Sequence, residues 1–261
     1  FSCLNFRDRR AVIIRTAPPW LADLAGAWIF YTVFPSWPWP SPRFKRIARF
    51  APWIGLLIGA LQALLWGGLA GLGWRPIALA PLVIVVGIRL SGGLHHDGLM
   101  DTADGLAAGS DRRLEAMEDS RVGASGVLAL AVVLLLELAS LVQLGDRAPM
   151  ALCLAGFWSR VAPLWAMARF RYLRLDGSGT AAFHRQHGRP CWDALPALIV
   201  IIGFSIFIPP LELLIGAPVA LLVAERLGRK LGGHTGDSYG AALVITEAIT
   251  LLLLAGLAGS S

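Results

Sequence analysis

The sequence predicts an all-α protein, a polytopic bundle of helices integral to a membrane. Hydrophobic residues make up 56% of the 261 residues and charged residues only 15%, and the mean hydropathy is +0.64. Soluble domains carry about 25% charged residues, so this composition argues against a soluble globular protein. Ten tryptophans, several of them near the ends of apolar segments, are typical of side chains that anchor a protein at the lipid headgroups.

Seven apolar segments are long enough, or nearly so, to cross a bilayer, which takes about 20 residues. They lie near residues 50–73, 76–92, 126–145, 149–168, 194–209, 210–225 and 241–258. The segment 20–34 is shorter, contains Asp23 and ends before Pro35, so we expect a short interfacial or re-entrant helix there. We expect no cleaved signal peptide, and we divide the chain into an N-terminal extension of unknown role, 1–19, and one membrane-embedded domain, 20–261.

Lysine and arginine are concentrated in alternate loops between these segments. The richer loops lie within residues 43–49, 112–121, 171–189 and 226–230, whereas the opposite loops hold only Arg75 and Arg147. By the positive-inside rule the richer loops face the cytoplasm. The net charge of +6 therefore reflects topology, and we expect membrane lipids as partners and no nucleic acid.

Three aspartates directly follow the second apolar segment, in the stretch Gly92–Leu106. The spacing of Asp97, Asp101 and Asp104 places all three within about 60° on one helix face. Carboxylates that close repel one another unless a cation or protons neutralise them. Oxygen ligands without cysteine favour Mg²⁺ or Mn²⁺, and bound Mg²⁺ commonly recruits substrate phosphates. We therefore predict a metal site on this helix.

Histidines accompany the aspartates, and zinc is the alternative metal to weigh. His95 and His96 precede the first aspartate, but adjacent histidines point to different sides of a helix, so we do not expect zinc. His184 and His187 are expected in a solvated loop close to an anionic substrate.

A glycine-rich turn, Gly232–Gly240, leads into the last apolar segment. Such a turn can present backbone N–H groups to a phosphate at a helix N-terminus, although a flexible linker is the plainer interpretation. Asp237 in this turn either caps the following helix or contacts a metal, and both alternatives are open at this point.

Three ionisable residues, Glu137, Arg160 and Glu247, lie inside apolar segments. An ionisable group at membrane depth is a functional candidate by default. The plainer alternative is that such residues neutralise one another within the bundle, and for Glu137 we expect that alternative.

These motifs together resemble those of the cobalamin-5′-phosphate synthases, also called adenosylcobinamide-GDP ribazoletransferases. Gly92–Gly105 resembles the family signature GG-[FL]-H-x-DGLADT-x-DG, and Asp119–Gly123 looks like its DSR-[LIV]-G. Ser159-Arg160 looks like the SR step that the family carries within a membrane helix. Leu231–Ala242 resembles LGG-x-TGD-x-x-GAA, with Glu247 at a downstream acidic position. The resemblance covers roughly residues 20–258.

The resemblance implies an enzyme integral to the bacterial cytoplasmic (inner) membrane, with its active site facing the cytoplasm. The implied reaction is the final assembly of cobalamin. The hydroxyl of α-ribazole, or of α-ribazole 5′-phosphate, attacks the cobinamide-linked phosphorus of adenosylcobinamide-GDP and releases GMP. The product is adenosylcobalamin or its 5′-phosphate. A second copy of the chain and other cobalamin-assembly enzymes are further candidate partners.

The resemblance also implies roles for individual residues. Asp97, Asp101 and Asp104 would be catalytic and would hold Mg²⁺ or Mn²⁺, with Asp104 as candidate general base and Asp237 joining the metal ligands. The implied substrate- or phosphate-binding residues are His95, Asp119, Arg121, Arg160, Gly233, Thr235, Gly236 and Glu247.

Two other classes of function are carried as alternatives. A related membrane phosphotransferase acting on another nucleotide-activated substrate would use the same aspartates. A cation transporter would use the intramembrane acids as an ion path. Against transport, the aspartates follow the end of a predicted span, and no broken pair of helices repeats in two halves of the chain, as inverted-repeat transporters tend to show.

Overall fold

The computed structural model describes residues 17–174, 190–193 and 195–259. In these residues the chain forms thirteen α-helices, two 3₁₀ turns and one isolated parallel bridge between Tyr172 and His234. The predicted all-α membrane fold is confirmed. Nearly all of the predicted extension 1–19 lies outside the described residues, as do His184 and His187.

The helices are numbered here in chain order. The first six are α1 Pro19–Tyr31, α2 Ala51–Gly71, α3 Pro76–Leu90, α4 Leu94–Ala107, α5 Arg113–Glu118 and α6 Ala124–Leu144. The remaining seven are α7 Ala148–Ser159, α8 Val161–Arg169, α9 Pro190–Asp193, α10 Leu195–Phe204, α11 Pro210–Leu214, α12 Gly216–Leu231 and α13 Gly236–Ala258.

Three helical stretches of the described chain are long and apolar enough to span a membrane by themselves. They are Ile47–Gly71, Ala124–Arg169 and Gly236–Ala258, and the pair α3–α4 passes the same test only as a unit bent by 91°. The predicted count of seven spans is therefore not confirmed. The second stretch has 46 residues and is, at about 1.5 Å per residue, roughly twice as long as a span requires. It contains two of the predicted segments, 126–145 and 149–168.

The other predicted segments form shorter helices. Helix α10 has 10 residues and α11 has 5, because Pro209 and Pro210 interrupt the apolar run between them. Helix α12 has 16 residues, just under the minimum for a span. Helix α1 has 13 residues, too few to cross a bilayer, as the sequence predicts.

Two consecutive glycines turn the chain between α3 and α4. Gly92 and Gly93 have φ of 68° and 73°, left-handed values that glycine adopts without the steric cost of a side chain. The resulting bend of 91° makes α4 cross the end of α3 instead of extending it. Because α4 is short and carries three aspartates, we count it outside the membrane spans.

Helix α13 packs against α4, α6, α7, α8 and α12. Its contact with α4 is unusually close, since a Cβ atom added to Gly98 would lie 2.6 Å from the carbonyl oxygen of Asp237. Only glycine at position 98 lets the two backbones meet there. This approach brings the aspartates of α4 and the first turn of α13 to one place.

Candidate active site

A cleft of about 160 Å³ lies where α1, α4, α8 and α13 meet. Its ionisable lining residues are His95 and Asp97 of α4, Arg160 between α7 and α8, Arg174 after α8, and Asp237 of α13. Much of the remaining lining is apolar or aromatic, with Phe30, Tyr31, Leu94, Pro163, Leu164, Met167, Tyr172, Tyr239 and Leu243. Four elements far apart in sequence thus combine charged and apolar side chains around one space.

The carboxylates of α4 and α13 act on one another electrostatically. The pKa of the Asp101 carboxyl is raised to about 6, first by burial and then by the charges of Asp97, Asp237 and Asp104, while Arg174 opposes this rise. Such repulsion is the signature that the aspartate spacing predicts, and a divalent cation relieves it.

In the described part of the chain, no three His, Cys, Asp or Glu side chains are arranged as a ready metal site. The carboxylates of α4 and α13 therefore do not form a complete coordination shell by themselves. A Mg²⁺ site does not require such a set, because Mg²⁺ usually keeps several waters and binds one or two carboxylates together with substrate phosphates. The metal assignment of these residues stays a prediction.

Asp237 lies in the cleft beside Arg174, a residue that the sequence argument used only for topology. Arg174 Nη2 donates to Asp237 Oδ2 at 2.9 Å, and Thr235 Oγ1 donates to the same oxygen at 3.3 Å. Arg174 Nε also lies 3.5 Å from Glu118 Oε1. Arg174 therefore links α5 to α13 and supplies a cation among the clustered acids.

The cap of α13 is Thr235 and not Asp237. The backbone N–H of Ser238 donates to Thr235 Oγ1 at 3.2 Å, and the N–H of Thr235 donates to Ser238 Oγ at 2.8 Å, which completes a capping box. Thr235 therefore fills the role of helix cap, which was one of the two alternatives for Asp237. Thr235 is fully buried, so its hydroxyl serves the helix and does not line the cleft.

The glycine-rich turn is held by the segment after α8. The N–H of His234 donates to the carbonyl of Arg171, and the N–H of Leu173 donates to the carbonyl of His234, both at 2.9 Å. A Cβ atom on Gly233 would lie 2.6 Å from the Arg171 carbonyl oxygen, so Gly233 permits this close approach. Of the three predicted phosphate-binding residues of the turn, Gly236 lines the cleft, whereas Gly233 and Thr235 do not.

Asp104 is held by the first turn of α6. Its Oδ2 accepts from the N–H of Gly123 at 2.7 Å and its Oδ1 accepts from the N–H of Gly126 at 2.8 Å. A carboxylate at this position offsets the partial positive charge of the helix N-terminus. A carboxylate has about four acceptor sites, so these bonds leave room for a further ligand. The sequence-based assignment of Asp104 as metal ligand and base stays a prediction.

Arg160 connects the cleft to the interior of the bundle. Its Nη1 donates to Glu247 Oε2 at 3.2 Å, to the Gly156 carbonyl at 2.9 Å and to Ser159 Oγ at 3.0 Å. Glu247 itself lines a smaller inner cavity of about 30 Å³ together with Glu137. Arg160 thus reaches the cleft, and Glu247 holds Arg160 from within.

His95 is buried between the cleft and the inner cavity. Burial first, and then the charges of Arg160 and His96, lower the pKa of His95 to about 3. A neutral imidazole can exchange hydrogen bonds with a substrate, but it contributes no positive charge to phosphate binding.

Asp119 and Arg121 lie outside the cleft. Arg121 Nη2 and Nε donate to the Asp119 carboxylate at 2.7 to 3.2 Å, and the Arg121 side chain is 88% exposed. The hydrogen bonds from Arg121 lower the pKa of Asp119 to about 2. Neither residue lines the cleft, but their loop lies next to one carboxylate of α4, because Gly123, two positions after Arg121, donates to Asp104.

Arg174, Tyr172 and Tyr239 line the cleft, although the sequence did not indicate them as site residues. The one indication for Arg174 is that a basic residue stands just beyond the end of a predicted span. Tyr239 follows Asp237 by two positions within the glycine-rich motif. Their rings stack, with the Tyr172 and Tyr239 centroids 6.4 Å apart.

Comparison with known proteins agrees with the motifs. The family model described as cobalamin-5-phosphate synthase matches residues 23–255. An adenosylcobinamide-GDP ribazoletransferase of Prochlorococcus marinus strain MIT 9313 is 58% identical over 252 residues, covering 92% of this chain and 97% of the relative. The protein of that name from strain MIT 9303 is 57% identical over 253 residues, with the same coverage.

A third relative of that name, from Trichormus variabilis, is 39% identical over 245 residues, covering 90% of this chain and 96% of the relative. No solved structure matches the chain. Since both the family model and these relatives cover nearly all of the sequence, the resemblance is confirmed, and the chain belongs to the cobalamin-5-phosphate synthase family.

Proposed function

We propose that this chain is the transferase that joins ribazole to adenosylcobinamide-GDP and releases GMP, the final assembly step of cobalamin. The observation that carries this proposal is the cleft, where carboxylates of α4 and α13 and two arginines from before and after α8 surround one space. The match to the family over residues 23–255 and the printed names of the relatives support the same activity.

The proposed reaction forms one oxygen–phosphorus bond and breaks another. The hydroxyl of α-ribazole, or of its 5′-phosphate, attacks the phosphorus that carries cobinamide. The bond from that phosphorus to the bridging oxygen of the diphosphate breaks, and GMP leaves with the bridging oxygen and its electron pair. The proton of the attacking hydroxyl passes to a base.

Two arginines are the candidates to bind the phosphates. Arg160 and Arg174 both line the cleft, and the planar guanidinium group suits bidentate contact with phosphate oxygens. The two arginines have different partners, because Arg160 donates to Glu247 while Arg174 donates to Asp237. Since both line the cleft together with Asp97 and Asp237, they support binding of a diphosphate there.

The candidate metal ligands are Asp97, Asp101, Asp104 and Asp237. The raised pKa of Asp101 supports a cation among them, since a group of unneutralised carboxylates would repel a diphosphate. Mg²⁺ or Mn²⁺ bound there would supply Lewis-acid stabilisation of charge on the diphosphate.

Two aspartates are candidates for the base. Asp104 is the candidate from the sequence, but each of its oxygens already accepts a backbone N–H. Asp97 is exposed and lines the cleft, so it has access to a bound hydroxyl. A base must lie within hydrogen-bond reach of the proton it removes, which favours Asp97 for this role.

We also propose that the chain resides in the bacterial cytoplasmic (inner) membrane with the cleft facing the cytoplasm. Arg174 and the turn before α13 belong to loops that the positive-inside rule places on that side. Labelling of single cysteines in sealed vesicles tests this arrangement. Positions 112 and 232 should react from the cytoplasmic side and positions 75 and 147 from the other, and opposite labelling of 112 and 232 would contradict it.

Turnover by the purified protein tests the activity directly. The full chain in lipid nanodiscs would be supplied with adenosylcobinamide-GDP and either α-ribazole or α-ribazole 5′-phosphate, with Mg²⁺ or with a chelator. We expect GMP release and the cobalamin product only when Mg²⁺ is present. The Asp97→Asn variant, prepared in the same way, controls for a contaminating enzyme. Absence of product with both acceptors would overturn the proposal.

A further inference from the structure

The cleft beside the carboxylates is also lined by Phe30, Pro163, Leu164 and Met167, here called its apolar part, to which none of the roles above assigns a ligand. We infer that this part binds the planar aromatic base of α-ribazole, with the corrinoid remaining outside. The inference rests on the proposed function and deepens it, because it states which substrate enters the protein.

The size of the cleft limits what it holds. It encloses about 160 Å³, and a cavity of about 150 Å³ is enough to bind benzene. A cleft of this size encloses one aromatic ring, and because it is open a second fused ring can extend beyond it. The corrinoid macrocycle with its amide side chains is several times larger, so it stays at the mouth.

The apolar lining residues suit one of the two aromatic bases that the reaction involves. Phe30, Pro163, Leu164 and Met167 line the cleft. The dimethylbenzimidazole of α-ribazole has a largely apolar edge, and it gains from aromatic and methionine contacts. Guanine carries several hydrogen-bonding groups, and contact with these four side chains leaves such groups without partners at a cost in free energy. Because polar side chains line the same cleft, the kinetic test below distinguishes the two bases.

The charged residues lie in the same cleft as these apolar side chains. Asp97 and Asp237 line it together with Met167 and Leu164. A base held among the apolar side chains therefore keeps the attacking hydroxyl of the same nucleoside in the cleft that contains the proposed base and metal ligands.

The test introduces a large side chain into the apolar part of the cleft and leaves every charged residue unchanged. Met167→Trp adds an indole ring there, and Ala168→Trp adds the same ring at the next position of α8, where the side chain is exposed and outside the cleft. We expect Met167→Trp to raise the KM for α-ribazole by about 10-fold or more. The KM for adenosylcobinamide-GDP should change little, and Ala168→Trp should leave both constants near the wild-type values.

A binding measurement makes the inference independent of turnover. Calorimetric titration of α-ribazole into the wild-type protein in nanodiscs should show saturable binding that Met167→Trp weakens and Ala168→Trp does not. If Met167→Trp fails to fold, as judged by its melting temperature, Met167→Phe replaces it in both assays.

The outcomes separate this inference from the proposed function. A wild-type protein that makes no product with either acceptor refutes the proposed function, whatever the titration shows. An active protein whose KM for α-ribazole is unchanged in Met167→Trp overturns the inference alone. A rise in the KM for adenosylcobinamide-GDP, or weakened inhibition by GMP, would instead assign the cleft to the guanine and would also overturn it.

Discussion

Asp97 and Asp104 share one face of α4 but meet different surroundings. Asp97 is exposed and lines the cleft, whereas Asp104 accepts two backbone N–H groups from the first turn of α6. The difference shows that helical spacing gathers carboxylates, while the neighbouring backbone determines which of them is available to a ligand. The aspartates of this one motif therefore differ in their contacts, and we expect them to differ in their roles.

The largest effect is expected for Asp97→Asn. The substitution keeps the shape of the side chain but removes a negative charge from the cleft, so we expect the rate of GMP release to fall on the order of 100-fold or more. The melting temperature should stay near that of the wild type, because the side chain is exposed. A near-normal rate with Mg²⁺ present would show that the reaction does not depend on the Asp97 carboxylate.

The next effect is expected for Asp237→Ser, and it extends the comparison to α13. Serine caps helices well, but the cap here is Thr235, so the substitution removes only the carboxylate that Arg174 contacts. We expect a loss of rate between about 10-fold and 100-fold with an unchanged melting temperature. Full activity of this variant would argue against a role for Asp237 at the metal.

Two substitutions of Asp104 distinguish the role of its hydrogen bonds to α6 from the role of its negative charge. The sequence motif alone predicts equal losses at all three aspartates. Asn still offers an oxygen acceptor to the N-terminus of α6, so Asp104→Asn should keep its activity within about 10-fold of wild type. Asp104→Ala should lower the free energy of unfolding by about 0.5–2 kcal/mol, the usual cost of losing a cap.

Thermal unfolding and steady-state rates would be measured on both Asp104 variants. A stable Asp104→Asn protein whose rate falls as far as that of Asp97→Asn would make Asp104 a ligand or a base, as the sequence predicts.

Thr235→Val is the matched control for Asp237→Ser. Valine has the shape of threonine but can neither accept the N–H of Ser238 nor donate to Asp237 Oδ2. The cap is therefore lost at a cost of about 1 kcal/mol, while the Asp237 carboxylate itself stays. We expect a lower melting temperature with a nearly unchanged KM for both substrates. A selective rise in the KM for adenosylcobinamide-GDP would restore the phosphate-binding role that the motif implied for Thr235.

The smallest effect is expected for Arg121→Gln. Arg121 is exposed and pairs with its own neighbour Asp119, and exposed pairs of this kind contribute little. Both KM values should change by less than about threefold. A larger rise in the KM for adenosylcobinamide-GDP would indicate that the 119–121 loop contacts the substrate at the mouth of the cleft.

The part of the site that could be predicted is the part encoded by short spacings. The helix that carries Asp97, Asp101 and Asp104 follows from offsets of four and seven residues, and α4 forms where expected. The capping box was harder to predict, because Thr235 and Ser238 have the three-residue spacing of the motif but Ser238 replaces its usual Glu or Gln. The sequence predicted a flexible linker or a phosphate-binding turn there, with Asp237 as the candidate cap.

Contacts between distant residues could not be predicted in this way. The partner of Asp104 lies across α5, at Gly123, and Arg174 is separated from Asp237 by 63 positions. Hydropathy likewise predicted spans near 194–209 and 210–225, but it does not register where prolines end a helix. These features depend on packing and on backbone geometry, which a hydropathy pattern does not contain.

The right-angled turn at Gly92 and Gly93 has a consequence for energetics. Because α4 crosses the end of α3, the membrane placement proposed above puts its aspartates at one boundary of the bilayer, where all ligands would exchange with a single aqueous compartment. Moving one elementary charge through a potential of 100 mV involves about 2.3 kcal/mol, but no charge needs to make that passage here. The rate of this enzyme should therefore be independent of the transmembrane voltage, and the same in energised and in depolarised membranes.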